Sequence, residues 1–151
     1  MASEQFVIFQ LAAEEYAVSI SQVKEIIRYN GATKLPAAPN YMAGIINLRG
    51  KVIPVVDLIG KFALLFEKKL DRQVLIVEAA GQEVGLVVDA VTEVIRLEAN
   101  AIEAANGIAQ SKEYISAIGK VDKRLLIILD LDILFNQAEM SALRDAGKRA
   151  C

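Results

Sequence analysis

Short apolar runs alternate with short polar turns along most of the chain. Two apolar runs joined by a few polar or glycine residues are typical of a β-hairpin. The pattern predicts four hairpins, with strands Phe6–Leu11 and Tyr16–Ile20, Met42–Leu48 and Lys51–Val56, Gln73–Glu78 and Val84–Asp89, and Ile115–Lys120 and Leu125–Leu129. Many short strands at close spacing indicate small β-barrels.

A few segments predict helix instead. Ser21 can cap a helical turn in which Val23, Ile26 and Ile27 are helically spaced. The residues from Ile59 to Leu65 predict a short helix, and Asp132 is expected to cap a closing helix over about residues 132–146.

The two halves of the chain resemble each other. The segment Gln5–Arg28 aligns with Gln73–Arg96, and Ile45–Leu58 aligns with Ile118–Leu131. The identical pairs include Gln5/Gln73, Ile8/Ile76, Ala12/Ala80, Glu15/Glu83, Glu25/Glu93, Arg28/Arg96, Ile45/Ile118 and Asp57/Asp130, and Lys51/Arg124 is conservative. Matched charges in one register favour a duplication over chance similarity. We therefore expect one subdomain over about residues 5–70, a second over about 72–131, and the helix after them. Halves of this size are marginal alone and should pack as one cooperative unit.

Composition narrows the class of protein. Hydrophobic residues make up 54% of the 151, with no Trp, so the core must be mainly aliphatic. No apolar run reaches the roughly 18 residues that a membrane span needs. The formal net charge is −2 and the basic residues are scattered, which argues against a nucleic-acid partner. The single cysteine, Cys151, and an N-terminus without signal-peptide features predict a reduced, cytoplasmic compartment.

The residues give little support to catalysis. There is no histidine, the commonest zinc ligand and neutral-pH proton carrier, and there is no glycine-rich phosphate loop. We predict no catalytic residue, no metal and no cofactor. Asp57 and Asp130 occupy matching positions after buried strands and could form an acid pair, but their equivalence favours capping of the segment that follows each strand.

One stretch resembles a known family. The sequence Asn-Leu-Arg-Gly-Lys-Val-Ile-Pro-Val-Val-Asp-Leu, residues 47–58, closely resembles the signature of CheW, the coupling proteins of bacterial chemotaxis. The resemblance continues more weakly from about Gln5 to the closing helix. It implies a mainly β fold of two SH3-like five-stranded barrels packed side by side.

The resemblance also implies a function without chemistry. CheW proteins are cytoplasmic adaptors that connect the helical hairpin tips of chemoreceptors to the regulatory domain of the histidine kinase CheA. Carried over by position, Ile20, Val23 and Glu25 are expected to face the kinase. The residues Gly44, Asn47, Leu48 and Arg49 are expected to face the receptor or to support that surface.

Two other functions stay open. The chain could be a small-barrel module that binds a peptide or helix in another signalling assembly, or a hydrolase that uses Asp57 or Asp130. In either case Arg49 is only an exposed cation in a turn. In the CheW interpretation its guanidinium is a hydrogen-bond donor that recognises a partner's carboxylate or carbonyl group or positions the lobes of the protein. Val18, Ile20 and Val23 lie near the end of the second predicted strand. Core packing is the default for such residues, but those left exposed at an edge would form a docking surface.

Overall fold

A computed structural model describes residues 3–36, 38–62, 71–104 and 114–135. Its strands are β1 Ser3–Leu11, β2 Glu14–Ser19, β3 Val23–Arg28, β4 Met42–Leu48, β5 Lys51–Asp57, β6 Gln73–Ala79, β7 Gln82–Val88, β8 Ala90–Glu98, β9 Ile102–Ala104, β10 Ile115–Val121 and β11 Arg124–Leu129. The helices are α1 Leu58–Lys61 and α2 Leu131–Leu134, with 3₁₀ turns at Ile20–Gln22 and Ala99–Ala101. The four predicted hairpins and the mainly β class are confirmed.

The strands form two sheets of nearly identical design. Sheet I has the order β8-β1-β2-β11-β10-β9, and sheet II has the order β3-β6-β7-β5-β4. The repeat makes β1 to β5 equivalent to β6, β7, β8, β10 and β11, so the two orders match strand for strand except for β9. Two small sheets are consistent with paired SH3-like barrels, although sheet I has a sixth strand that the five-stranded prediction lacked.

Each sheet takes strands from both halves of the chain. The hairpin β1–β2 lies in sheet I beside β8 and β11, whereas β3 to β5 lie in sheet II beside β6 and β7. Neither sheet therefore coincides with one of the predicted subdomains, 5–70 and 72–131. Those bounds describe the two halves of the sequence repeat. Because the strands are exchanged, neither half contains a complete sheet.

The predicted helical turn after Ser21 was wrong. Only a 3₁₀ turn, Ile20–Gln22, is present, and Val23–Arg28 is strand β3, paired with β6. The segment is rich in β-branched residues, and its partly buried and exposed positions alternate with the strand period of two. The same residues also have helical spacing, so the local sequence allows either structure, and pairing with β6 decided for the strand.

Both short helices begin at an aspartate. The Asp57 side chain accepts a hydrogen bond from the Ile59 N–H at 3.1 Å, and Asp130 accepts from the N–H groups of Asp132 and Ile133 at 3.0 and 3.2 Å. The predicted capping by Asp57 and Asp130 is confirmed, but the cap assigned to Asp132 was wrong. Asp132 instead accepts a bond from the Ala80 N–H at 2.9 Å. Most of the closing helix predicted over 132–146, like residues 63–65 of the earlier one, lies outside the described residues.

The main core lies between the two sheets. It contains Phe9 of β1, Leu75 of β6, Leu131 of α2 and Phe135, all completely buried. Each sheet adds a smaller cluster of its own, around Ile8 and Leu126 in sheet I and around residues of β5 and β6 in sheet II. The core is mainly aliphatic, as the composition predicted.

Candidate functional site

The tip of the β4–β5 hairpin is built by its own sequence. Arg49 and Gly50 both have positive φ, 53° and 84°, as the tightest hairpin turns require. The Asn47 side chain accepts a hydrogen bond from the Gly50 N–H at 2.8 Å and so holds the turn closed. Asn47 and Gly50 therefore fix the loop from which the Arg49 side chain projects.

The Arg49 side chain reaches across to strand β3. Its guanidinium donates to both carboxylate oxygens of Glu25, one of them at 3.3 Å. This hydrogen-bonded pairing, and then the attraction between the charges, raises the pKa of Arg49 above its ordinary value. The ion pair joins a residue predicted to face the kinase to one predicted to face the receptor.

A second ion pair lies beside the first. Lys51 contacts Glu83 of β7, and a shallow depression of about 310 Å³ is lined by Glu25, Leu48, Arg49, Gly50, Lys51 and Glu83. Its charges are matched in pairs, and the depression is polar. It therefore suits recognition of another polar surface better than enclosure of a small molecule.

Sheet I repeats this arrangement with one cation. Arg124, the repeat equivalent of Lys51, pairs with Glu15 at 2.9 Å and with Glu93 at 2.7 Å. Glu15 and Glu93 are the equivalents of Glu83 and Glu25. Sequence comparison found these matched charges, but only the structure shows that they are partners.

The predicted kinase-facing residues differ in accessibility. Ile20 is 38% exposed, whereas Val23 is half-buried against the main core. Val18 is fully buried, as the default of core packing for these residues predicts, and so is not part of a docking surface. Its side chain lies on the face of β2 that packs in the main core, together with Tyr16.

Gly44 allows another backbone segment to approach β4 closely. Its φ is 145°, and a Cβ there would lie 2.6 Å from the Thr33 carbonyl carbon and closer still to its oxygen. Thr33 forms reciprocal 2.9 Å backbone hydrogen bonds with Ile45. Gly44 thus permits the loop before β4 to lie against the strand.

The carboxylates considered for hydrolysis are occupied by structural contacts. Besides its cap, Asp57 contacts Arg72 at 2.9 Å, and the side chains are only 9% and 13% exposed. Asp130 bonds the start of α2. In the described ranges, no group of three His, Cys, Asp or Glu side chains could hold a metal ion, and no helix there is long and apolar enough to cross a membrane.

Comparisons with known proteins agree with the fold. A family model for the CheW-like domain matches residues 5–139. The chain is 35% identical to "Chemotaxis protein CheW" of Klebsiella aerogenes over 148 residues, which cover 96% of this chain and 89% of the relative. It is 34% identical to the protein of that name in Bacillus subtilis, with 94% of each chain covered.

A solved structure is similar over nearly the whole length. The crystal structure of the scaffolding protein TtCheW from Thermoanaerobacter tengcongensis superposes with a TM-score of 0.82 at 38% identity. The match covers 91% of this chain and 96% of that protein.

Proposed function

This chain belongs to the CheW family of chemotaxis proteins, and we propose that it is a non-enzymatic adaptor that couples chemoreceptors to the histidine kinase CheA. It would act in the cytoplasm, at receptor arrays on the membrane. One surface, with Ile20, Val23 and Glu25, would contact the regulatory domain of CheA. Another, with Asn47, Leu48 and Arg49 and supported by Gly44, would contact the receptor tip.

The observation that carries the proposal is the Arg49–Glu25 ion pair. It connects the two sets of residues directly, across the gap between β3 and the β4–β5 hairpin. A receptor that attracts or displaces Arg49 would change the surroundings of Glu25, and a kinase bound near Glu25 would in turn affect Arg49. Such reciprocity is the thermodynamic requirement for coupling between two sites.

The test is Arg49→Ala in receptor-stimulated CheA autophosphorylation. Alanine fits the turn, because Ala80 has nearly the same φ, 50°, in the equivalent place before the glycine of another hairpin. We expect a folded protein that still binds each partner alone but gives little receptor-stimulated activity. Arg96→Ala, at an exposed position of β8, is the control for loss of an arginine.

Three outcomes would contradict the proposal. Normal receptor-stimulated autophosphorylation of CheA with the Arg49→Ala variant would mean that Arg49 is only an exposed turn cation that keeps the loop soluble. Failure of the wild-type chain to bind CheA or a receptor would favour the alternative of a small-barrel module for another signalling assembly. Turnover of a substrate that is lost in a folded Asp57→Asn variant would favour the hydrolase.

A further inference from the structure

A groove lies between the two outer strands of sheet II. Its volume is about 510 Å³, and it is lined by residues 27–33, Ile45–Asn47 and Val74. Ile27, Ile46 and Val74 supply aliphatic surface to it, and all three belong to or pack against the same small core cluster. The groove lies farther along the same strands that the Arg49–Glu25 pair connects.

The second half of the chain shows the same position filled. In sheet I, strand β9 lies along β10, with Glu103 opposite Ile118 and Ile102 opposite Gly119. In sheet II, the repeat equivalent of Ile118 is Ile45, and only the single bridge from Thr33 covers it within the described ranges. Thr33 thus takes the place of Glu103.

The register also explains why the groove is open. Because Thr33 occupies the position equivalent to Glu103, Ala32 occupies the position equivalent to Ile102. The Ile102 side chain packs against the apolar cluster of sheet I, whereas the methyl group of Ala32 is too small to fill the equivalent space. The groove therefore has room for about one branched aliphatic side chain.

One residue of the β4 edge, Asn47, has outward backbone groups that no other strand binds within the described ranges. Ile45 exchanges both hydrogen bonds with Thr33, at 2.9 Å each. Peptide groups two residues apart in a strand face the same side, so the N–H and C=O of Asn47 point outward as those of Ile45 do. In the part of the chain that the structure describes, β4 is the outer strand of its sheet, and no further strand pairs with Asn47 there.

One basic residue, Arg28, lies among the residues that line the groove. Arg28 is the one charged residue among those that line it, and within the described part of the chain it forms no ion pair. In sheet I the filling strand places Glu103 beside Ile102, and Glu103 pairs at 2.9 Å with Lys120, the repeat equivalent of Asn47. In sheet II the cation at the groove is instead Arg28 of β3. An aliphatic residue next to a carboxylate is thus the pattern that the chain itself uses.

We infer that the groove binds an extended segment of a partner protein by strand addition to β4. A branched aliphatic side chain enters the space beside Ala32, a neighbouring carboxylate pairs with Arg28, and the segment's backbone bonds Asn47. Strand addition to an exposed edge is a common mode of peptide recognition. This site is additional to the proposed coupling of receptor and kinase and does not depend on it.

The test uses a peptide copied from β9. The blocked hexapeptide Ala-Asn-Ala-Ile-Glu-Ala, residues 99–104, is titrated into the isotopically labelled full chain while amide NMR signals are followed. Saturable shifts are expected at Ala32, Thr33 and Asn47. Replacing the peptide's Ile by Ser removes the aliphatic anchor and should weaken binding about tenfold or more.

Two variants of the protein and one control variant complete the test. Ala32→Ile fills the groove and should also weaken binding about tenfold or more. Arg28→Gln should weaken it while leaving the core untouched, and Arg96→Gln, at the equivalent position of the second half, should not.

Several results would overturn the inference. These are absence of saturable shifts, equal binding of the Ile→Ser peptide, and equal effects of Arg28→Gln and Arg96→Gln. Concentration-dependent shifts of the same amides without peptide would assign the groove to a second copy of the chain. None of these results bears on the Arg49→Ala kinase assay, so the two proposals fail separately.

Discussion

At the scale of the residue, four hairpin turns use the same backbone conformation with different side chains. Ala12, Arg49, Ala80 and Asp122 all have φ between 50° and 58°. Ala12 and Ala80 are repeat equivalents, as are Arg49 and Asp122. Because alanine or aspartate satisfies this backbone, the turn does not require an arginine. What the arginine adds at this position is the ion pair of its side chain with Glu25.

Gly44 is the residue whose identity the backbone does dictate. We expect Gly44→Ala to destabilise the protein by about 2 kcal/mol or more, because the new Cβ would overlap the Thr33 carbonyl and force backbone to shift. The measurement is the free energy of unfolding in urea. Gly81→Ala is the control, since its φ is also positive, 80°, but open space surrounds it. Equal losses would show that φ strain alone makes glycine necessary at residue 44.

At the scale of the element, the two short helices show how equivalent positions acquire different surroundings. Both begin with a capping aspartate after a buried strand. Asp57 is in addition paired with Arg72, whose guanidinium lies 5.1 Å from the Tyr29 ring. In the first half, therefore, the capping aspartate is connected through Arg72 to Tyr29, which belongs to the loop that lines the groove of sheet II.

The two caps should differ in their contribution to stability. Asp130→Ala removes a cap and should cost about 1 kcal/mol. Asp57→Ala also leaves Arg72, a nearly buried cation, without its carboxylate, and the total should reach about 3 kcal/mol or more. Urea unfolding of both variants measures the difference. Equal losses would mean that the Arg72 pair adds nothing to the cap.

At the scale of the whole molecule, four stacked aromatic rings connect the two halves. Phe9, Tyr16, Phe62 and Tyr114 follow one another with centroids 5.7, 5.8 and 5.2 Å apart. Phe9 and Tyr16 come from the first hairpin, and Tyr114 directly precedes β10 of the second half. Together with the exchanged strands, the stack makes the two halves parts of one structure.

Tyr16 gives this stack a pH-dependent stability. Burial, and to a lesser extent the negative charge of Glu14 and the nearby Tyr114, raises the pKa of Tyr16 above its ordinary value. The folded protein thus holds this proton more tightly than the unfolded chain. The resulting stability is fully present below about pH 10 and is lost as the pH rises through the raised pKa.

Alkaline unfolding tests this consequence. We expect the melting temperature of the wild-type chain to fall above about pH 10, and Tyr16→Phe to reduce part of that fall because phenylalanine has no phenolic proton to lose. Tyr29→Phe is the matched control, because Tyr29 follows β3 and lies outside the aromatic stack. Parallel curves for the wild type and Tyr16→Phe would contradict the assignment.

Much of the local structure could be predicted from the sequence. The hairpins, the turn at Arg49–Gly50 and the caps at Asp57 and Asp130 all depend on residues that are close in the chain. Their signals are alternation of apolar residues, a glycine in a turn and an aspartate before a helix, and each acts within a few residues. The roles of Ile20, Glu25 and Arg49 toward partners stay predictions.

Other features were decided only when distant segments met. Val23–Arg28 is a strand because β6 lies beside it, and β9 forms because β10 offers an edge. The exchange of strands between the halves, the partners of Glu25 and Arg124, and the open groove beside Ala32 likewise depend on contacts between residues far apart in the chain. Local pattern therefore determined which elements this chain can form, and tertiary pairing decided which strands are neighbours and which edge stays open, because the hydrogen bonds and apolar contacts that fix those choices exist only after the chain has folded.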